Sequence, residues 1–356
     1  MSYTSLHQRR NPDNGRPKRR AIWIIAIAAI MMILFVRHNR YTHAVNNGLN
    51  PQDTKKQIVL VKSGDSAKSV ANILEEKGII GNAGHLRSYL DDHNLETKIL
   101  AGRFELSASM PIKQISEIIT DAKQAKNFVT IPEGYSIKQI DARLTEMQLT
   151  QTGKFIDATK KFNDWSSYPF LPKSSMQGNL LPLEGFLFPD TYKIDPGNFS
   201  SDHLIGLMLN NFKKKLPADI DTQLAQKNIS LFELITTASM LEKEVRHETD
   251  MPIIAGIIWK RSNEGWFLNI DATLLYDLNR QNLTKKDLEQ DSPYNTYTRK
   301  GMPPGPIGNP GIKTIMASLN PVKTSHWFYI TDPKNGKAIF ADTNDQQNRN
   351  RAKYLQ

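Results

Sequence analysis

The helix predicted over residues 231–246 carries a carboxylate on the side that should face the protein core. Ser230 and Glu233 have the spacing of a capping box, which marks where this helix begins. At about 100° per residue, one apolar stripe consists of Leu231, Leu234, Ile235, Ala238, Leu241 and Val245. Glu242 falls inside that stripe. Because an acid on a core-facing side is costly unless it is paired or does chemistry, Glu242 is the candidate general acid.

A structural role for Glu242 is the alternative interpretation. At the edge of the stripe it would pair with Arg246, one helical turn later. Partial burial would favour the protonated form that a general acid needs, but the helix pattern alone leaves both interpretations open. Glu244 projects from the opposite side of the helix, where we expect an ordinary solvated acid.

A loop over residues 294–311 combines polar and aromatic side chains with a stiff backbone. It opens with Tyr294, Asn295, Thr296 and Tyr297, and four prolines follow. Amide and hydroxyl groups hydrogen-bond sugar hydroxyls, and aromatic rings pack against sugar faces. The loop therefore predicts sugar contacts, and the alternative is a rigid structural loop.

A third segment, residues 183–192, has a similar mix of acids and aromatic residues. It adds Glu184, Asp190 and Tyr192 as candidate substrate contacts. The eight histidines show no metal-ligand spacing, and no phosphate-binding glycine motif is present. The chain has no cysteine, which excludes disulfide scaffolds and thiolate chemistry.

The positive charge of the chain is concentrated at its beginning. The net charge is +10, and residues 1–40 account for most of it, with eight Lys or Arg and one Asp. Residues 41–356 are therefore close to neutral, which argues against a nucleic-acid partner.

The basic residues flank an uncharged, apolar run from Ala21 to Val36. We interpret residues 21–37 as a transmembrane signal anchor, slightly shorter than the 20 or so residues that usually span a bilayer. A cleaved signal peptide is the alternative, but no small-residue cleavage pattern follows the run. Six cations before the run and two after it predict a cytoplasmic tail over residues 1–20 and place the rest outside the inner membrane.

The remainder is predicted to be α+β, with two regions after a polar linker over residues 38–56. Residues 57–126 form a small α+β unit with strands at 57–61 and 102–106. Residues 127–356 form a larger mixed domain that closes with a hairpin over 326–341. We expect residues 151–183 to be irregular.

Six segments together resemble the YceG-like family of endolytic murein transglycosylases. They are IPEGYS (131–136), LEGFLFPDTY (183–192), ASMLEKE (238–244), IDATLLY (270–276), YNTYTRKGMPPGPIGNPG (294–311) and ASLNP (317–321), with the closing WFYI hairpin. They occur in the family's order over nearly the whole chain beyond the membrane segment.

This resemblance implies an enzyme of the inner membrane that cuts β-1,4 bonds between N-acetylmuramic acid and N-acetylglucosamine and leaves 1,6-anhydro ends. It places the essential glutamate of the family on Glu242, adds Asp271 as a substrate contact, and makes residues 57–126 a LysM-like subdomain and 127–356 the catalytic domain. It implies no metal or cofactor. The implied partners are glycan strands and peptidoglycan synthases.

Two other functions stay open at this point. One is a hydrolase of the same glycan, which would use a second acid such as Glu184 or Asp271 with water. The other is a non-catalytic, membrane-tethered glycan-binding protein. The chain departs from the family pattern at Asn269, Ala272, Ala338 and Gln347, so no sugar contact is carried over to those positions.

Overall fold

The structure, a computed structural model, describes residues 15–172 and 181–355. The mixed α+β class predicted from the sequence is confirmed: helices dominate, and the described strands form two-stranded antiparallel sheets. The chain divides into two compact units. The first ends at Asn127 and also includes Asp195–Asn198, and the second comprises the remainder. Most of the predicted tail, and residues 173–180 of the segment expected to be irregular, lie outside the described residues.

The first unit consists of a long helix followed by a small sheet with helices packed around it. Its elements are α1 (Gly15–Asn46), β1 (Gln57–Val61), α2 (Ala67–Glu76), α3 (Ala83–Asp92), β2 (Gly102–Leu106) and α4 (Ile112–Thr120). β1 and β2 pair with Val59 opposite Phe104, and both of these side chains are fully buried. Both predicted strands are therefore confirmed.

Helix α1 is longer than the sequence suggested. Its residues Ile22–Asn46 are long and apolar enough to cross a membrane, which suits an anchor or a signal sequence. The helix continues to Asn46, so the prediction of a linker is wrong for residues 38–46. This polar stretch stays helical because it packs on the core of the first unit and because the Tyr41 hydroxyl donates to Asp92 Oδ2 at 3.0 Å.

The second unit is mostly helical. Its elements are β3 (Phe128–Thr130), α5 (Ile137–Glu146), α6 (Lys154–Lys161), β4 (Thr191–Lys193), α7 (Ser201–Lys215), α8 (Ile220–Lys227), α9 (Leu231–Glu244), α10 (Met251–Asn263), α11 (Asp271–Leu278), α12 (Ile312–Leu319), β5 (Phe328–Thr331), β6 (Ala338–Ala341) and α13 (Asn344–Tyr354). The capping box of α9 is present, as is the closing β5–β6 hairpin. Helix α6 corrects the expectation that residues 151–183 are irregular: Phe155 is buried and anchors it.

Helix α9 lies at the centre of the second unit and is buried around its whole circumference over residues 234–241. Its Leu234, Ile235 and Ala238 belong to one apolar cluster, and its Met240 and Leu241 belong to another. A helix that is enclosed on all sides holds its last turn in a fixed position. That last turn carries Glu242.

Candidate active site

The carboxylate of Glu242 meets the beginning of helix α12. Its Oε2 accepts a hydrogen bond from the Gly311 backbone N at 3.0 Å and one from the Thr314 hydroxyl at 2.6 Å. The first N–H groups of a helix have no partner within the helix, and its dipole attracts negative charge there. Across residues 15–172 and 181–355, no ion pair joins Glu242 to Arg246, so the predicted structural pair is wrong.

Two loops pack closely beside Glu242, and each has a glycine at the contact. Gly134 has φ of +75°, and a Cβ at this position would lie 3.1 Å from Cγ of Glu242. A Cβ on Gly308 would lie 2.5 Å from the carbonyl oxygen of Gly134. The loop of residues 132–134 and the loop of residues 306–311 therefore pack directly on each other beside the carboxylate.

Asn309 fastens these loops to the core. It is fully buried, and its side-chain amide donates to the Tyr135 carbonyl at 2.8 Å and accepts from the Leu187 backbone N at 2.8 Å. The backbone N of Gly134 donates to the Asn309 carbonyl at 2.7 Å. One side chain thus joins three separate stretches of sequence and sets the position of Gly311 against Glu242.

Glu184 supports the same arrangement from inside the protein. It is only 4% exposed and accepts hydrogen bonds from the Ile137 backbone N, the Tyr276 hydroxyl and the Asn309 amide at 3.0–3.3 Å. Burial raises the pKa of Glu184 to about 8. The described structure leaves almost none of the surface of Glu184 accessible, and its contact with substrate stays a prediction.

Charged residues that the sequence analysis did not single out surround Glu242. Glu133, in the loop of residues 132–134, is exposed, and a Cβ on Gly311 would lie 2.0 Å from its Oε1. Partial burial and the nearby charge of Glu242 raise the pKa of Glu133. Desolvation lowers the pKa of Lys243, against the opposing effect of Glu242 and Glu184. The sequence signal for Glu133 was its place in the IPEGYS segment.

Glu244 is not the solvated acid that the helical pattern predicted. It is partly buried beneath the hairpin, and its Oε2 accepts a hydrogen bond from the Tyr329 hydroxyl of β5 at 3.0 Å. Burial raises the pKa of Glu244 to about 7. Beside it, the Tyr297 hydroxyl donates to Asp271 at the start of α11. Asp271 itself is exposed.

Three of the four polar or aromatic residues that open the loop at 294 are buried, and the side chains of two of them are hydrogen-bonded within the protein. Asn295 donates to the carbonyls of Leu288 at 3.0 Å and Gln290 at 2.7 Å. The Thr296 hydroxyl accepts from the Ile270 backbone N at 3.0 Å, and Tyr294 is 7% exposed. Asn295 and Thr296 thus satisfy backbone groups around the loop, which favours the alternative of a rigid structural loop, and the sugar contacts of the three residues stay a prediction. Tyr297 is partly exposed.

Asp190 and Tyr192 connect strand β4 to helix α7. Asn211 donates to Asp190 Oδ2 at 3.0 Å and to the Tyr192 hydroxyl at 3.1 Å. Asp190 also pairs with Lys215, and Tyr192 is buried. In the described part of the chain, no hydrogen bond or ion pair links either residue to Glu242, so the structure does not bring them to the same site.

The four departures from the family pattern have local roles. Asn269 adopts the left-handed conformation, with φ of +55°. Gln347 is buried and donates to the Tyr329 carbonyl at 2.9 Å, and the Ala338 backbone N donates to Asp250. Ala272 lines a cavity of about 420 Å³ together with Lys243, the neighbour of Glu242.

Comparisons with known proteins agree with one another. Residues 59–353 match the sequence profile of the YceG-like family. A protein of Bacillus subtilis named endolytic murein transglycosylase is 28% identical over 318 residues, which are 85% of this chain and 86% of the relative. A Streptococcus pneumoniae protein of the same name is 30% identical, and the alignment covers 85% of this chain but 59% of that longer relative.

A solved structure extends this similarity to the fold. The crystal structure of a YceG-like protein from Listeria monocytogenes superposes with a TM-score of 0.60 at 30% sequence identity. The match covers 83% of this chain and 98% of the other.

Proposed function

This chain belongs to the YceG-like family, and we propose that it is a peptidoglycan lytic transglycosylase that cuts inside glycan strands. The observation that carries the proposal is the environment of Glu242. Its carboxylate is partly exposed, lies at the end of a rigid buried helix, and is oriented by two donors from α12.

In the proposed reaction, Glu242 acts first as an acid and then as a base. The protonated carboxyl donates its proton to the glycosidic oxygen as the bond from C1 of N-acetylmuramic acid breaks. The resulting carboxylate takes the proton of the C6 hydroxyl of the same sugar, whose oxygen bonds to C1. The products are a 1,6-anhydro end and a free hydroxyl on N-acetylglucosamine, and Glu242 regains its proton without the use of water.

Thr314 is suited to hold Glu242 in both protonation states. Its hydroxyl lies 2.6 Å from Glu242 Oε2 and 3.0 Å from the Gly311 carbonyl oxygen. When Glu242 is ionised, the hydroxyl donates to it. When Glu242 is protonated on Oε1, its carbonyl oxygen Oε2 still accepts from the hydroxyl, and Oε1 can face the substrate. The acid therefore keeps its orientation through the proposed proton transfers.

Glu133 supports a second candidate function, hydrolysis of the same bond. A hydrolase needs a second carboxylate to activate water or to attack C1. Glu133 is exposed and lies against Gly311, the residue whose N–H binds Glu242. This placement suits the role better than that of the buried Glu184 or of Asp271, which is hydrogen-bonded to Tyr297.

We further propose that α1 anchors the enzyme in the inner membrane with both units outside it. The apolar run and the excess of cations before it support this orientation. The β1–α2–α3–β2 order of the first unit supports its assignment as a LysM-like glycan-binding module. Peptidoglycan synthases are the proposed protein partners, because nascent glycan strands leave those enzymes at the same membrane.

The test is Glu242→Gln in the purified full chain, with uncrosslinked glycan strands as substrate. The carboxamide oxygen can take the place of Oε2 and accept from both the Gly311 N and the Thr314 hydroxyl, so the thermal unfolding temperature should stay close to that of wild type. Cleavage should fall by about 10²–10⁴-fold, the usual contribution of a general acid or base. Glu264→Gln, at an exposed acid beyond α10, is the matched control and should leave cleavage unchanged.

Mass spectrometry of the wild-type products separates the functions. Anhydro ends support the transglycosylase, new reducing ends support the hydrolase, and intact strands support a glycan-binding protein. Rapid release of anhydro ends by Glu242→Gln would refute the assignment of Glu242.

A further inference from the structure

The first unit contains a cavity where the last turns of α1 pack against the small α+β fold. Its volume is about 650 Å³, within the range of small-molecule sites. The basic and imidazole groups that line it are Arg37, Arg40, His43 and His85. Apolar residues line another part of its wall, among them Ile80, Met110 and Ile112. The cavity thus combines a positive side with an apolar side.

No acid compensates the positive charge of this cavity. Its lining residues include neither Asp nor Glu. Within residues 15–172 and 181–355, neither Arg37 nor Arg40 forms an ion pair, and the nearby Asp92 accepts from Tyr41 outside the lining. Burial and the guanidinium groups of Arg37 and Arg40 lower the pKa of His85. The positive charges of the two arginines are therefore close enough to His85 to disfavour its protonation. An anionic group would relieve this repulsion.

The position of the two arginines indicates where such an anion comes from. Arg37 directly follows the apolar run that ends at Val36, and Arg40 lies one helical turn further. If α1 crosses the membrane, as proposed above, both side chains lie at the level of the lipid headgroups. This step rests on the anchoring of α1 and not on the cleavage reaction.

We propose that this cavity binds the headgroup of an anionic membrane phospholipid. The two guanidinium groups bind the phosphate, which matches their planar donor geometry. The apolar wall takes the glycerol and the first carbons of the acyl chains. Together these contacts hold the first unit against the membrane surface, in addition to the attachment through α1.

The experiment uses the full chain in nanodiscs of equimolar phosphatidylcholine and phosphatidylglycerol. After transfer to detergent, native mass spectrometry counts the lipids that the protein retains. Wild type should retain phosphatidylglycerol in preference to phosphatidylcholine. The double variant Arg37→Gln/Arg40→Gln should weaken this retention by about 30-fold, since each arginine near a membrane contributes roughly fivefold to anionic lipid binding.

Two further variants separate the cavity from general surface charge. Arg87→Gln/Lys113→Gln removes the same charge from exposed positions outside the lining and should leave retention unchanged. Ser88→Trp fills part of the cavity without a change of charge and should weaken retention. Equal losses in both double variants, or full retention by Ser88→Trp, would overturn the proposal.

A free anion is the remaining possibility, and inorganic phosphate is its probe. If the detergent-solubilised protein binds inorganic phosphate through Arg37 and Arg40 but retains no phosphatidylglycerol, the lipid assignment is wrong. Glycan cleavage in detergent reports separately on the proposed enzyme. It should be normal in Arg37→Gln/Arg40→Gln and lost in Glu242→Gln, whereas lipid retention should show the reverse.

Discussion

Replacement of Thr314 by valine tests how the proposed acid is held. Thr314 is 1% exposed, and its hydroxyl is one of the two groups that orient Glu242. Valine has nearly the same shape, so Thr314→Val removes the hydroxyl and leaves the packing of α12 in place. After this change the Gly311 backbone N is the remaining described donor to Glu242 Oε2.

The expected loss follows from the type of hydrogen bond removed. A hydrogen bond to a charged group contributes about 1.5–3 kcal/mol. Its loss would shift the equilibrium of the Glu242 carboxylate from the oriented towards the disordered position by roughly 10–150-fold. Thr314→Val should therefore lower the rate of glycan cleavage at saturating substrate by about 10–100-fold. The loss should be smaller than that of Glu242→Gln, because the acid itself is still present.

The assay measures release of anhydro-muropeptides from uncrosslinked strands, with thermal unfolding of each variant as the check on folding. Thr314→Ser is the matched control, since it keeps the hydroxyl and should retain most of the activity. If Thr314→Val is folded and cleaves within about twofold of wild type, the hydroxyl does not orient the acid. If serine and valine are equally impaired, the methyl group is responsible for the effect.

Two further predictions concern stability. Asn295→Ala removes the donors to the Leu288 and Gln290 carbonyls. Its free energy of unfolding, measured by chemical denaturation, should therefore be about 2–4 kcal/mol lower than that of wild type. An unchanged value would show that these hydrogen bonds contribute little to stability. Burial raises the pKa of Glu244 from 4.5 to about 7, so the folded state binds its proton more tightly and stability falls as pH rises through that interval. Glu244→Gln removes this dependence, and between about pH 5 and pH 8 its stability relative to wild type should rise by on the order of 1–3 kcal/mol. A relative decrease over that interval would contradict the buried position of Glu244.

Features that depend on neighbouring residues could be predicted from the sequence. The capping box of Ser230 and Glu233 and the strand at residues 57–61 are both present as predicted. In each case the sequence signal lies within a few neighbouring positions, although β1 itself pairs with the distant β2. The place of Glu242 near the end of α9 was accessible in the same way, because the helix start and its apolar periodicity are local signals.

The environment of Glu244 could not be predicted, because it depends on a distant strand. A helical projection separates the sides of one helix but contains nothing about the elements that cover each side. Tyr329, whose hydroxyl bonds Glu244, lies on β5, 85 positions later. The projection therefore assigned Glu244 to solvent, although the hairpin covers it.

The role of the loop at residues 294–297 could not be decided from the sequence for a different reason. Asn and Thr are common at sugar sites and also at places where irregular backbone must be satisfied from within. Asn295 bonds two carbonyls and Thr296 bonds Ile270 N, which replaces the regular hydrogen bonding that a loop lacks. Residue type alone does not distinguish these two uses.

Glycines near Glu242 lie where the two loop segments pack on each other and on the carboxylate. A Cβ at Gly134 would lie 3.1 Å from Cγ of Glu242, and one at Gly311 would lie 2.0 Å from Oε1 of Glu133, so the Glu133 side chain would have to move. Both positions are close approaches between segments far apart in the chain, so each segment is fitted to the other. This packing surrounds the carboxylate and is the same whether the proposed reaction ends in an anhydro sugar or in hydrolysis. The packing of these two loops therefore indicates where the site lies, but it does not distinguish the transglycosylase reaction from hydrolysis.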